Sequence, residues 1–172
     1  MKLSRTERWI LSNQFQILEK LAPKEGWDFA REVVERGYEL HYGDVSQYVY
    51  QDVLTEEHCR EVVNILAMFS HLKRAYAALP EEDKQDIEEA AVSFLGFDGN
   101  NEARQLSYTL LLVDHEGRFT DLDRLDDFNS HSPVLDTYRR MLAEYERSAN
   151  KYSLTKDDVV RIVNARIHPS RR

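Results

Sequence analysis

A single cysteine, Cys59, stands in 172 residues, so no disulfide can close within the chain and the usual signature of an oxidising compartment is missing. Glycine and proline are scarce too, at six and four residues, about half their average combined share of roughly 12%. A many-stranded sheet needs more turns than these residues supply, which points to helices. No apolar run approaches the roughly 18 residues of a membrane span, and the first residues lack the apolar core of a leader peptide. The expectation is a cytoplasmic protein with no membrane partner. Positive charge is also in deficit: 23 Lys and Arg against 31 Asp and Glu leave a net charge of −8. That is the wrong sign for wrapping a phosphate backbone and argues against nucleic acid as a direct partner. Basic spots at Lys2, Arg5 and Arg8, and from Arg166 to Arg172, read as a solvated helix face and a chain end.

Motifs of known chemistry are absent as well. A helical zinc site needs two histidines four apart or paired cysteines, which put ligands on one face, and neither occurs. His115-Glu116-Gly117-Arg118 opens like a metalloprotease motif, but Phe119 stands where the second histidine belongs. The acidic run Asp121-Leu122-Asp123-Arg124-Leu125-Asp126 has leucine and aspartate where a calcium loop needs a ligand and a glycine. There is no glycine-flanked serine elbow and no phosphate-cradling glycine loop. His58 and Cys59 are adjacent, point about 100° apart on a helix, and read as packing residues. No metal and no cofactor is expected.

What the chain does contain is 42% hydrophobic residues, arranged with helical periodicity and enough to bury roughly 70% of the unfolded surface. Ser4-Arg5-Thr6-Glu7 fits a capping box opening a helix to about Ala22. On it Leu11, Phe15, Leu18 and Ala22 form one row, and Ile10, Ile17 and Leu21 a second, with Gln14 inside the stripe. A second helix, from about Trp27 to Arg36, ends at Gly37, and one short helix follows Asp44. Thr55 caps the longest, about 55–79, as the central core helix. Pro80 stops it and starts another over Glu81–Ser93. From Asn101 to Asp114 the chain is apolar almost all round, a buried helix or, in competition, a buried strand. Thr120 to His131 reads as an acidic surface loop, Ser132-Pro133 opens a helix to about Asn150, and Thr155 caps a last short one. The reading is all-α: one domain of about six or seven helices over residues 1–165, followed by a disordered basic tail over 166–172.

The densest segment is Phe94-Leu95-Gly96-Phe97-Asp98, leading to Glu102-Ala103-Arg104. A turn this apolar must bury its large side chains in the core or against a partner. Phe94, Leu95 and Phe97 are accordingly candidate anchors of a self-association interface. Asp98, Glu102, Arg104 and Tyr108 could meet in space and are candidate ligand-binding residues, as is Gln14, which needs hydrogen-bond partners if it lies on a buried face.

Several blocks together, Arg8-Trp9-Ile10-Leu11-Ser12-Asn13-Gln14, Glu35-Arg36-Gly37-Tyr38, Phe94-Leu95-Gly96-Phe97-Asp98, Glu102-Ala103-Arg104, Glu116-Gly117-Arg118-Phe119 and Tyr138-Arg139-Arg140-Met141-Leu142, resemble the YfbU family of bacterial proteins. The resemblance runs from about residue 3 to Ala165. It implies a cytosolic, all-helical, oligomeric protein, in some members joined to a DNA-binding segment, and it supplies no catalytic residues. The leading expectation is a non-catalytic, self-associating regulatory or ligand-sensing protein that forms homo-oligomers and takes a small-molecule ligand. The alternatives are an enzyme of unrecognised type with a cleft at Asp98, Glu102, Arg104 and Tyr108, and a DNA-binding regulator using the basic termini.

Overall fold

Ser4 starts the first helix through reciprocal hydrogen bonds: its Oγ accepts the Glu7 N–H at 3.3 Å, and the Glu7 carboxylate accepts the Ser4 N–H at 2.7 Å. Helix α1 then spans Arg5–Leu21. In the computed structural model the described residues are 1–46, 49–50 and 52–168. The chain divides into two units, Met1–Val53 and Leu54–Arg172. Among the described residues there is no β-strand, helix covers 64% of the chain, and no helix is long and apolar enough to cross a membrane. An all-α fold follows.

The first unit is a helical hairpin. Helix α2 spans Trp27–Arg36 and ends at Gly37, whose φ of 75° is the left-handed value a helix terminus favours. Phe15 stacks on Trp27 with ring centroids 6.0 Å apart, and Val33 and Val34 are fully buried. Arg8 Nη1 donates to the Val34 and Glu35 carbonyls at 3.2 and 3.4 Å, satisfying the end of α2 from α1. The expected broad stripe on α1 is split. Phe15 is buried and Leu11 and Leu18 are half-buried, while Ile10, Gln14, Ile17 and Leu21 are exposed. Gln14 is therefore exposed rather than on a buried face of the hairpin. The short helix α3, Tyr42–Val45, includes Asp44 rather than following it, and its first residue, Tyr42, is buried.

The second unit is built on α4, Glu56–Ala78, capped by Thr55 Oγ accepting the His58 N–H at 3.3 Å. Val62, Ile65, Leu66, Met68, Phe69 and Leu72 line its buried face, as a core helix requires. The single helix expected over Glu81–Ser93 is instead two short ones, α5 (Glu81–Lys84) and α6 (Glu89–Val92). The break lets Ile87, Ala91 and Val92 all reach the core, and Lys156 Nζ holds it by donating to Asp83 at 2.8 Å and Asp86 at 3.0 Å. Helix α7 spans Ala103–Leu110 and runs on as a π-helical turn, Leu111–His115, so the alternative of a buried strand is resolved in favour of helix. Helix α8 covers Leu135–Glu146, and α9, Lys156–Asn164, opens on a Thr155–Asp158 capping box. Of the expected disordered tail, residues 169–172 lie outside the described residues. Arg166 and Ile167 continue α9 through N–H bonds to Val163 and Asn164.

The apolar corner belongs to the core of this unit. Phe94 and Phe97 are 1% and 0% exposed, in an aromatic cluster with Phe69, Phe128 and Tyr138 whose ring centroids lie 4.9 to 5.8 Å apart. They are corrected from interface anchors to core residues, because the chain itself supplies the pocket that receives them. Only Leu95, 36% exposed, reaches the surface. The segment opposite is not a plain surface loop either, since it buries Leu122 and Phe128. Phe97 N–H donates to the Phe128 carbonyl at 2.9 Å and Ser130 N–H to the Phe97 carbonyl at 3.2 Å, forming one isolated parallel bridge. A Cβ on Gly96 would sit 1.7 Å from the Phe128 oxygen, and its φ is +96°. Only glycine fits there. Asp126, Asp127 and Phe128 have φ of 45°, 51° and 60°, a left-handed turn closed by Asn129 N–H donating to the Asp126 carbonyl at 3.0 Å.

Two substitutions test this packing. Gly96→Ala must break the bridge and should cost at least about 3 kcal/mol in urea unfolding, whereas Gly26→Ala, also at positive φ but in open space, should cost about 1–2 kcal/mol. Phe97→Asp should unfold the second unit, and a folded Phe97→Asp protein seen by circular dichroism would contradict a core position.

Candidate functional site

Glu102 and Asp98 are brought together, and both are consumed by structure. Glu102 is 6% exposed. Its Oε1 accepts the Val134 and Leu135 N–H groups at 2.9 and 2.7 Å, and its Oε2 accepts the Asp98 N–H at 3.0 Å. The carboxylate thus caps α8, at the positive end of the helix dipole, and ties that helix to the corner. Ser132, expected to be the cap, instead exchanges hydrogen bonds with Ser130. Asp98, 2% exposed, accepts from the Asn101 side-chain amide and from the Asn100 N–H at 3.2 Å. The Asn101 amide, and behind it the Asn100 N–H, hold its carboxyl below the ordinary carboxylate range against the opposing effect of burial.

Arg104 and Tyr108 are one turn apart on α7 and both are half-buried. Gln14 lies in the other unit, exposed on α1. Among the described residues, no three His, Cys, Asp or Glu side chains gather as a metal cluster.

Tyr108 leads instead to a cleft that the sequence reading did not assemble. About 380 Å³ in volume, it lies between the first turns of α4, which contribute Glu56, Cys59, Arg60 and Asn64, and a second wall made by Tyr108 and Arg118. Backbone geometry places Arg118. The π turn sends the Glu116 N–H to the Leu111 carbonyl at 3.2 Å, Gly117 takes φ 65°, the Arg118 N–H reaches back to the Leu112 carbonyl at 2.9 Å, and Phe119 takes φ 56°. The Arg118 guanidinium lies 5.0 Å from the Phe119 ring centroid and pairs with Glu116 at 3.2 Å. Across the cleft, Arg60 pairs with Glu56 at 2.5 Å on a largely exposed surface. Among the described residues, the Tyr108 hydroxyl and the Asn64 side-chain amide have no hydrogen-bond partner. Glu116-Gly117-Arg118-Phe119 was visible as a motif, but its spacing in sequence gives no hint that it faces α4. A π turn has no local sequence signature beyond a helix that is apolar all round.

The low folded-state titration of Asp98 sets a pH test. Its stabilising effect is fully present above the ordinary value of 3.8 and is lost as pH falls below it. Asp98→Asn should lower the unfolding midpoint at pH 7, and its stability should fall less steeply than wild type below pH 4; equal slopes would remove Asp98 from the acid-sensitive set.

The corner, the Glu102 clasp and the helical hairpin together span the region that the YfbU domain model matches, residues 1–165, and the chain belongs to the YfbU family.

Proposed function

We propose that this chain is a non-catalytic regulatory protein that works as a self-associated assembly, pairing through the outer face of α1 with a second copy. The observation that carries this reading is the stripe Ile10, Ile17 and Leu21, which are 49%, 57% and 76% exposed, with Trp9 at its edge at 68%. Folding the hairpin uses the opposite face of α1, so these side chains remain on the surface for some other purpose. They present on the order of 400 Å² of apolar area. A stable dimer buries about 800 Å² per partner, a little over half of it apolar, and so the stripe with a polar rim of Thr6, Asn13, Gln14 and Lys20 is of the right size.

A second copy is favoured as the occupant by charge. Met1–Val53 carries seven Lys and Arg against nine Asp and Glu, while the remainder carries 16 against 22. A like-on-like pairing needs a surface with little net charge to repel itself, and the first unit is the more balanced of the two. Gln14, at the rim of the stripe, is the kind of polar side chain that sets register between paired helices. The engagement of Glu102 and Asp98 with backbone amides supports the non-catalytic reading, since a general acid or base must reach a substrate proton.

Wild-type protein should sediment as a dimer or larger assembly at micromolar concentration. Ile17→Asp should sediment as a monomer with its circular dichroism unchanged, and its unfolding midpoint, unlike that of wild type, should not depend on protein concentration. A monomeric wild type, or an Ile17→Asp protein that still assembles, overturns the reading.

A further inference from the structure

We infer that the cleft between α4 and the π turn is a binding site for a small organic anion, held through its carboxylate or phosphate oxygens by Arg118, Arg60, Tyr108 and Asn64. Three departures from regular backbone occur within nine residues: the π turn at Leu111–His115, the left-handed Gly117 and the left-handed Phe119. A phenylalanine at positive φ is strained, and such strain and π insertions persist where the structure needs a side chain in a place that regular helix would not reach. Here the side chain so placed is Arg118. Had α7 continued as a regular helix, its register would have carried residue 118 elsewhere. The irregular turn puts it in the lining of the cleft that Arg60 and Tyr108 also line.

The lining sets the chemistry. Two arginines, a tyrosine and an asparagine are among the residues that line about 380 Å³, the lower end of ordinary small-molecule pockets. All four can donate hydrogen bonds, and the guanidinium fork matches the oxygens of carboxylate and phosphate. The carboxylates present, Glu56 and Glu116, are each tied to one of those guanidiniums in exposed pairs, Glu56–Arg60 and Glu116–Arg118. Exposed pairs contribute little, so an incoming carboxylate or phosphate can exchange with Glu56 or Glu116 at small cost. Stacking on Phe119 keeps the Arg118 guanidinium oriented while its partner changes. Cys59 and Val63 form a less polar wall beside these donors, which suits the carbon skeleton of an organic anion rather than a bare inorganic one.

The test uses the full chain labelled with ¹⁵N and titrated separately with succinate, phenyl phosphate and, at matched ionic strength, sodium chloride. Succinate or phenyl phosphate should give saturable shifts of the Asn64 side-chain amide and the Arg118 Nε–H, with a dissociation constant of about a millimolar or tighter. Arg118→Gln should weaken that binding at least tenfold and Tyr108→Phe at least threefold, with spectra otherwise unchanged. Saturation by succinate alone identifies a carboxylate site, and saturation by phenyl phosphate alone a phosphate site. Shifts that grow linearly like those of chloride, or saturable binding that Arg118→Gln leaves intact, overturn the proposal. Because the readout is local to the second unit and independent of sedimentation, it stands or falls separately from self-association through α1.

Discussion

One buried carboxylate governs the architecture of the second unit. Glu102 reaches forward more than thirty residues to the first amides of α8 and back four residues to the amide of Asp98, so the corner and a helix distant in sequence share a single acceptor group. Hydrogen bonds to a charged acceptor contribute about 1.5–3 kcal/mol each, and losing the acceptor strands buried N–H donors without water. The aromatic cluster of Phe69, Phe94, Phe97, Phe128 and Tyr138 closes only when the corner and α8 are held in this relation. Tyr138, on α8, adds a second tie by accepting the Leu95 N–H at 3.3 Å. The polar clasp and the apolar cluster thus depend on each other.

Much of the helical layout could be read from the chain alone. Capping boxes and glycine stops are local chemistry, so the limits of α1, α2 and α4 and the start of α9 agree with expectation to within a residue or two. The failures came where a distant group outcompeted a local one. Ser132-Pro133 has the composition of a helix start, yet Glu102 from another element does the capping. Residues Glu81 to Ser93 have helix-forming composition, yet burying Ile87 required a break. At the corner, the sequence showed an apolar surplus but not where it goes, because the receiving pocket is assembled from Phe69, Phe128 and Tyr138, residues 25 or more positions away.

The candidate site was legible only in fragments. Asp98 and Glu102 do meet, through the Asp98 N–H and the Glu102 carboxylate, but a pair of carboxylates near an arginine has the same appearance in sequence whether it serves chemistry or caps a helix. Tyr108 does face a cleft, though with partners, Asn64 and Arg118, whose proximity depends on a change of helical pitch after Leu110. That change comes where Leu112 is fully buried and just before the left-handed Gly117, tertiary and backbone features that periodicity does not record.

The left-handed turn at Asp126, Asp127 and Phe128 bears on how such a sequence can drift. Aspartate, asparagine and glycine accept that backbone region at low cost, while β-branched residues resist it. Positions 126 and 127 are exposed, so exchange among those three residue types would leave the turn intact and would change the surface charge by up to two units. Position 128 has no such freedom: its ring fills the core and its carbonyl closes on Gly96, so an evolving chain must keep an aromatic in an unfavourable conformation there. Relatives would then vary in acidity along this edge while keeping its path, a divergence in charge without divergence in shape.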